Sequence, residues 1–298
     1  MGVIVSAIIV NFNAGFLLRE SIDSLLACSL SIEVIVVDNA STDGSIDALG
    51  YQPEIIIIKN DKNLGFSAAC NVGIKAASAD YLLFLNPDCY IASAAMCQLL
   101  DYLKINDQVG MVGGTLIGSD GAEQGGGRRA VPTPWRTLVR VTGLTRFSGR
   151  WPRLFENYHL HNNPLPAKSI EVEAISGACM LVTRKAIEDV GLWDEGYFLH
   201  CEDLDYCMRF RANGWKIAFV PDARIVHQQG ACSRTRPMFV EWHKHKGMMR
   251  FYRKFFYHQY PAVLMVLVAL GVWLHFSCVA SYYTFKRVAR FLGFERGL

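Results

Sequence analysis

Asn86-Pro87-Asp88 follows directly on the apolar run Tyr81-Leu82-Leu83-Phe84-Leu85, which sets a carboxylate at the end of a strand expected to be buried. Glu202-Asp203 supplies a second acidic pair far downstream. Two carboxylate positions with different duties suit an enzyme that holds a divalent cation against a diphosphate at one and takes a proton from a hydroxyl at the other. The chemistry implied is sugar transfer from a nucleotide diphosphate donor.

The elements that must position these residues repeat a strand and helix rhythm. Extended segments are expected over residues 3–11, 33–38 and 54–59, with helices over about 16–27, from about residue 45, and over 68–77. Strands this uniformly apolar predict an α/β fold, a mostly parallel sheet covered on both faces. Each strand ends in polar residues, at Asn11-Phe12-Asn13, Asp38-Asn39-Ala40-Ser41-Thr42-Asp43, Asn60-Asp61-Lys62-Asn63 and Asn86-Pro87-Asp88. In open α/β sheets ligands bind beyond the carboxyl ends of strands, so these loops outline the expected pocket. No GxGxxG follows the first strand, which argues against a nicotinamide-binding Rossmann protein.

With 298 residues, 51% of them hydrophobic, the chain can fill a sizeable core. Thirty basic against 27 acidic side chains leave +3, and nothing in this balance points to nucleic acid. Nine cysteines without a CxxC pair fit a reduced, cytosolic setting. The N-terminus lacks a basic n-region and a cleavage site, so no signal peptide is expected; Gly2 and Ser6 match a myristoylation pattern, but the same residues are needed for the first strand. Residues 118–166, rich in Gly, Arg and Pro, read as irregular, either a substrate lid or an exposed connection. Between Lys254 and Lys286 there is no Asp, Glu, Lys or Arg, and residues 261–283 are apolar enough to span a bilayer if helical. Basic residues flank both ends, Lys244, Lys246, Arg250, Arg253 and Lys254 before and Lys286, Arg287, Arg290 and Arg296 after, and the basic and aromatic residues of 242–254 suit anionic headgroups or an acceptor pyrophosphate. The expected division is a catalytic domain over 1–254 and a membrane-associated segment over 255–298.

Val10-Asn11-Phe12-Asn13, Val36-Val37-Asp38-Asn39, Asn63-Leu64-Gly65-Phe66, Asn86-Pro87-Asp88, His200-Cys201-Glu202-Asp203 and His227-Gln228-Gln229-Gly230 occur in an order that resembles family 2 glycosyltransferases, inverting enzymes of GT-A fold, and their rhamnosyltransferase-like branch in particular. The resemblance covers roughly residues 3–255. It implies that Asn11, Asn13 and Asp38 hold the base and ribose of the donor. Gly65 either presents backbone amides to donor phosphate or only makes a tight turn. The family's metal motif is usually DxD; here Asn86 replaces the first Asp, leaving Asp88 as the metal ligand and Asn86 to bond the donor, with His227 a further ligand for Mg²⁺ or Mn²⁺.

The same resemblance makes Asp203 the general base, with Glu202 against acceptor hydroxyls. Trp193 and the turn of Gly177 are read as acceptor walls, since an aromatic face can pack on a sugar ring, with an ordinary core tryptophan as the alternative for Trp193. Asp205 is also open to reading as a helix-starting acid. The implied partners are a nucleotide-diphosphate sugar donor, dTDP-rhamnose or a UDP-hexose, a glycan or polyprenyl-linked acceptor, and the cytoplasmic face of the cell membrane. A catalytically silent nucleotide-binding scaffold at the membrane is the alternative from another class.

Overall fold

The buried Val, Ile and Leu of β1 (Val5–Asn11), β2 (Ile32–Asp38), β3 (Ile55–Lys59) and β4 (Tyr81–Leu85) form a parallel set in the spatial order β3-β2-β1-β4. Side chains alternate between faces, so neighbouring residues of one strand enter different cores. Ala7 and Ile9 join one core with Val34 and Val36, while Ile8 and Val10 join the other with Ile35 and Val37. Such a sheet is apolar on both faces, as the uniform strands predict.

Helices α1 (Phe16–Leu26) and α3 (Ser93–Ile105) cover the first face with Leu18, Ile22 and Leu25 and with Met96, Leu99 and Leu103, each set one helical stripe. The second face is covered by α2 (Phe66–Ala76), α6 (Arg184–Val190), α7 (Glu202–Ala212) and α8 (Pro237–Phe256), whose Ile74, Ile187, Phe210 and Phe251 lie in its core. Burying one such large apolar side chain stabilises the fold by about 1.5–3 kcal/mol.

Beyond β4 the sheet changes direction. Strand β10 (Cys179–Thr183) inserts antiparallel between β4 and β6 (Val109–Ile117), with Cys179 opposite Leu85 and Leu181 opposite Val112. Strand β11 (Lys216–His227) then runs parallel to β6 and carries antiparallel β5 (Cys89–Ile91) and β8 (Ile170–Glu171). A separate ribbon pairs β7 (Arg128–Arg129) with β9 (Ala174–Ile175). The computed structural model describes residues 2–50, 52–155, 158, 160–228, 230 and 236–291; Gln229, Cys232 and Arg296 lie outside the described residues.

Three expectations are corrected. The helix from about residue 45 is a single turn, Asp47–Leu49, because Gly44 and Gly50 on either side adopt left-handed φ of 78° and 65°. The stretch 118–166 is partly ordered: it contains β7, α4 (Pro134–Val141) and α5 (Pro152–Phe155), and Arg128 is buried against Glu123 at 2.8 Å. The basic residues before the apolar segment are largely paired within the fold, Lys244 with Glu241 and both Arg250 and Lys254 with Asp194. Burial alone would raise the Asp194 carboxyl, but these cations and the Gly196 amide hold it down at about 2.

The apolar segment is one helix, α9 (Ala262–Phe291), folded back on α8 through Trp242 against Trp273 and Phe276, both with ring centroids 5.5 Å apart, and through a 2.9 Å bond between His245 and His275. Met265, Val268 and Val272 pack on the hydrophobic core, yet the most apolar 18-residue window of the 28-residue span Ala262–Ala289 has mean hydropathy 2.3 and only 6% of it is buried. It is the one helix among the described residues long and apolar enough to cross a membrane.

Asp205, read from sequence as a possible helix-starting acid, is fully enclosed between Arg209 at 2.7 Å and Lys254 at 2.6 Å. Replacing it by Ala leaves Arg209 without its carboxylate and takes one of two carboxylates from Lys254, and Asp205→Ala is expected to cost roughly 3 kcal/mol. Urea unfolding measures this; a midpoint equal to that of the wild type contradicts the structural role.

Candidate active site

The loops after β1 and β2 lock together. Asn11, fully enclosed, donates from Nδ2 to Asp38 Oδ1 at 2.9 Å, to Ser41 Oγ at 3.0 Å and to Ser45 Oγ at 2.9 Å. Its side chain therefore orients the Asp38 carboxylate and is not itself exposed to a donor. Asn13 sits in a left-handed conformation, φ 54°, and its Oδ1 accepts from the Thr42 amide at 2.8 Å. Asp43 accepts from Ser45 and from the Gly15 amide at the start of α1; burial raises this carboxyl, but the bonds prevail and hold it below its ordinary range.

Gly65 has φ 86°, and a Cβ there would lie 2.7 Å from the Phe198 carbonyl oxygen. The Gly65 amide donates to Asn63 Oδ1 and the Phe66 amide to that same Phe198 carbonyl. Both amides are thus satisfied within the fold, which favours the turn reading over phosphate binding and makes Gly65 the point where α2 meets the 198–203 loop. Asn71, further along α2, ties down the backbone of Trp193 from both sides, at 2.9 and 3.0 Å.

At the end of β4, Asn86 donates its amide to the Ala178 carbonyl at 2.9 Å, and its own side chain is half-exposed. Asp88 is buried, and its Oδ1 has no hydrogen-bond partner among the described residues although His227 Nε2 lies 3.5 Å away. Gln124 explains the orientation of that ring. Its Oε1 stands 2.8 Å from His227 Nδ1, while its Nε2 donates to the His227 carbonyl at 2.7 Å. A proton held on Nδ1 leaves the Nε2 lone pair aimed at Asp88, the tautomer a metal ligand requires. An orphaned buried carboxylate oxygen beside an oriented imidazole fits a divalent cation, with Asp88 and His227 as the protein ligands. Cys89 lies in the same cluster, with ligand atoms within 4.8 Å of one another, but a thiol suits neither Mg²⁺ nor Mn²⁺.

The second carboxylate site is built on a strained turn. His200 and Cys201 adopt φ of 68° and 70°, unusual for side chains with a Cβ, and α7 starts immediately afterwards. A Cβ on Gly247 of α8 would lie 2.6 Å from the His200 carbonyl, so a glycine there lets α8 close over the turn. Asp203 Oδ2 accepts from Arg129 Nη2 and, at 3.2 Å, from the Gly177 amide; Oδ1 accepts from the Leu204 amide at 2.8 Å. Burial would lower Arg129, but Asp203 prevails and holds it firmly charged. Glu202 beside it is buried, and its Oε2 has no hydrogen-bond partner among the described residues. Burial first, and then the Asp203 charge, push its carboxyl well above the ordinary range.

Gly177 stands beside Asp203, and Trp193 takes the core place that the sequence left open for it. Gly177 backs Asp203, whose Cβ would stand 3.3 Å from a Cβ built on the glycine. Trp193 is 2% exposed, stacked on Tyr206 at 4.2 Å and edge-on to Phe84 at 5.0 Å; it is a core residue without a free face for a sugar. Arg129 and Gln124 escaped the sequence reading because both lie in a Gly-rich stretch with no periodicity. The only available signal was two polar side chains flanking Gly125-Gly126-Gly127.

A protein-family model described as Glycosyl transferase family 2 matches residues 6–191, and a second, Glycosyl transferase family group 2, matches residues 143–292. The N-acetylglucosaminyl-diphospho-decaprenol L-rhamnosyltransferase of Mycobacterium tuberculosis is 28% identical over 247 residues, 78% of this chain and 79% of that protein. The dTDP-rhamnosyl transferase RfbF of Shigella flexneri is 25% identical over 228 residues, 74% of this chain and 67% of that one. Among solved structures, the mannosyltransferase PcManGT from Pyrobaculum calidifontis in complex with GDP-Man and Mn²⁺ shares the fold, with a TM-score of 0.56 at 15% identity over 96% of this chain and 80% of its own.

Two predictions follow from this geometry. Gln124→Ala frees the His227 ring and is expected to weaken Mn²⁺ binding about 10–100-fold, read by calorimetry; an unchanged constant removes Gln124 from the metal site. Glu202 keeps its proton in the folded chain at pH values where the unfolded chain, titrating near about 4.3, has lost it. Stability therefore falls as pH rises from there through the raised value, and Glu202→Gln is expected to flatten that decline in urea-unfolding curves. Parallel pH profiles for the two proteins speak against a proton on Glu202.

Proposed function

The chain belongs to glycosyl transferase family 2, and from that premise we propose that it is a membrane-associated inverting transferase that moves rhamnose from dTDP-rhamnose to a lipid-linked or polysaccharide acceptor. The observation that carries this reading is the placement of two separate acidic sites on adjoining ends of one sheet. Asp88 faces His227, and Asp203 is held by Arg129 and Gly177, one residue from the Ala178 carbonyl that binds Asn86. The donor and acceptor classes are supported by the rhamnosyltransferase relatives, one of which is named for a decaprenol-linked substrate.

In this reading Asp38, oriented by Asn11, and Asn13 hold the nucleoside, and Asn86 bonds the donor sugar or ribose. Asp88 and His227 hold the cation. When bound, Mg²⁺ or Mn²⁺ supplies positive charge to the departing diphosphate. Asp203 accepts the proton of the acceptor hydroxyl as that oxygen forms a bond to the anomeric carbon. The bond from that carbon to the donor phosphate oxygen breaks on the opposite face, and its electron pair leaves with the nucleoside diphosphate, giving inversion. Arg129 and Gly177 fix the rotation of the carboxylate, so that its proton-accepting lone pair meets the substrate without a search. Protonated Glu202 donates to an acceptor oxygen.

The domain over 1–254 carries this chemistry, and 255–298 holds it at the cytoplasmic face of the membrane. An acceptor tethered to lipid then meets Asp203 at the surface where it resides. Asp203→Asn keeps the shape and removes the base, and is expected to lower transfer by about 100-fold or more while donor affinity stays within twofold. Radiolabelled transfer and calorimetry on one preparation measure both; substantial transfer by the variant contradicts the assignment.

A further inference from the structure

We propose that the segment from Pro134 to Phe155 is a docking surface for an anionic lipid bilayer, set beside α9 and separate from the catalytic pocket. The proposal rests on the reading of α9 as a membrane element and extends it to a part of the chain that carries no catalytic residue.

Between Glu123 and Glu156 there is no Asp or Glu, and every cation is an arginine. Arg146, Arg150 and Arg153 are exposed. Large apolar side chains stand out among them, with Val141 80%, Trp151 47% and Phe147 38% exposed. A soluble face rarely gathers such residues without a partner. They are not the tip of a detached loop. Val139 of α4 is fully buried, Thr133 caps the helix through the Arg136 amide at 3.2 Å, and Thr137 bonds Tyr252 of α8 at 2.7 Å. Trp135 Nε1 donates to the Leu154 carbonyl at 2.8 Å, joining α4 to α5. Phe147, Trp151 and Phe155 form an aromatic cluster with centroids 6.1–6.4 Å apart, over which Arg146 and Arg150 lie at 4.8 and 5.4 Å from the Phe147 and Trp151 rings. The fold therefore holds apolar rings outward in a fixed arrangement, with guanidinium groups around them.

That arrangement matches a bilayer interface. Aromatic rings sit at headgroup level, and arginines pair with lipid phosphate while their stems stay on apolar surface. The occupant is a membrane because α4 packs against α9, whose apolar face is exposed along Val263, Leu267, Leu270 and Leu274, which sets the segment beside the helix read as the membrane element. It is an anionic membrane because the segment has no carboxylate, and because Arg250 and Lys254 of α8 are already paired with Asp194, leaving the exposed Arg146, Arg150 and Arg153 to meet the headgroups.

The test uses the full chain with vesicles of phosphatidylglycerol or phosphatidylcholine, each with and without brominated acyl chains. Trp151 emission is isolated as the difference between wild type and Trp151→Phe. In brominated phosphatidylglycerol it is expected to fall to roughly half or less relative to unbrominated vesicles, with the loss largely reversed in an Arg146→Gln/Arg150→Gln/Arg153→Gln variant, whose substitutions remove the two cation–ring contacts but no side-chain hydrogen bond or ion pair among the described residues. Trp151 emission unquenched on protein that floats with the vesicles overturns the docking surface and leaves the reading of α9 standing. Equal quenching in phosphatidylcholine, or no effect of the arginine substitutions, overturns the anionic assignment. Failure to float with vesicles at all overturns both.

Discussion

The antiparallel insertion of β10 between β4 and β6 is the constraint on which the site depends. Without it, β4 would end in a parallel sheet whose next loop carries only Asn86-Pro87-Asp88. With it, the residues just before Cys179 run past the end of β4, where the Ala178 carbonyl receives the Asn86 amide and the Gly177 amide reaches Asp203. One backbone bond and one amide-to-carboxylate bond thus tie the loop of Asp88 to Asp203, the two carboxylates to which the proposed function gives the cation and the proton. Strand β11 completes the frame by bringing His227 opposite Cys89, next to Asp88.

The segment carrying Asp203 is held from three sides. Phe198 is gripped by the close approach of Gly65, His200 and Cys201 by Gly247, and Asp203 itself by Arg129 and Gly177. Two consecutive left-handed residues with side chains cost about 1–3 kcal/mol each and persist only where the surroundings over-determine them. Here α8 does so, and α8 is also the helix against which α9 folds. The same helix thus packs on the turn before Asp203 on one side and on α9 on the other.

Much of the fold was legible in the sequence because its strands are buried on both faces and read as unbroken apolar runs, each closed by polar residues. Asp88, Asp203 and His227 were legible for a related reason, since each sits at the end of a regular element where periodicity stops. Other features left no such trace. Arg129 and Gln124 act across long sequence separations from a stretch with no period, and a surface loop of the same composition would look identical. The ring of Trp193 was placed in the core by Tyr206 and Phe84, partners that no local pattern reveals. The basic residues of α8 looked like a free cationic face because Asp194, which pairs with two of them, lies far away in sequence. The single turn at Asp47–Leu49 was shortened by two left-handed glycines, a backbone effect that outweighs propensity over so few residues.

Calorimetric titration of dTDP-rhamnose into the full chain with Mn²⁺, set against the same titration in chelator and against UDP-glucose, tests the central claim most directly. The account predicts that binding requires the metal and favours dTDP-rhamnose. Equal binding in chelator would contradict the role given to Asp88 and His227, and the absence of any binding would contradict the transferase reading itself.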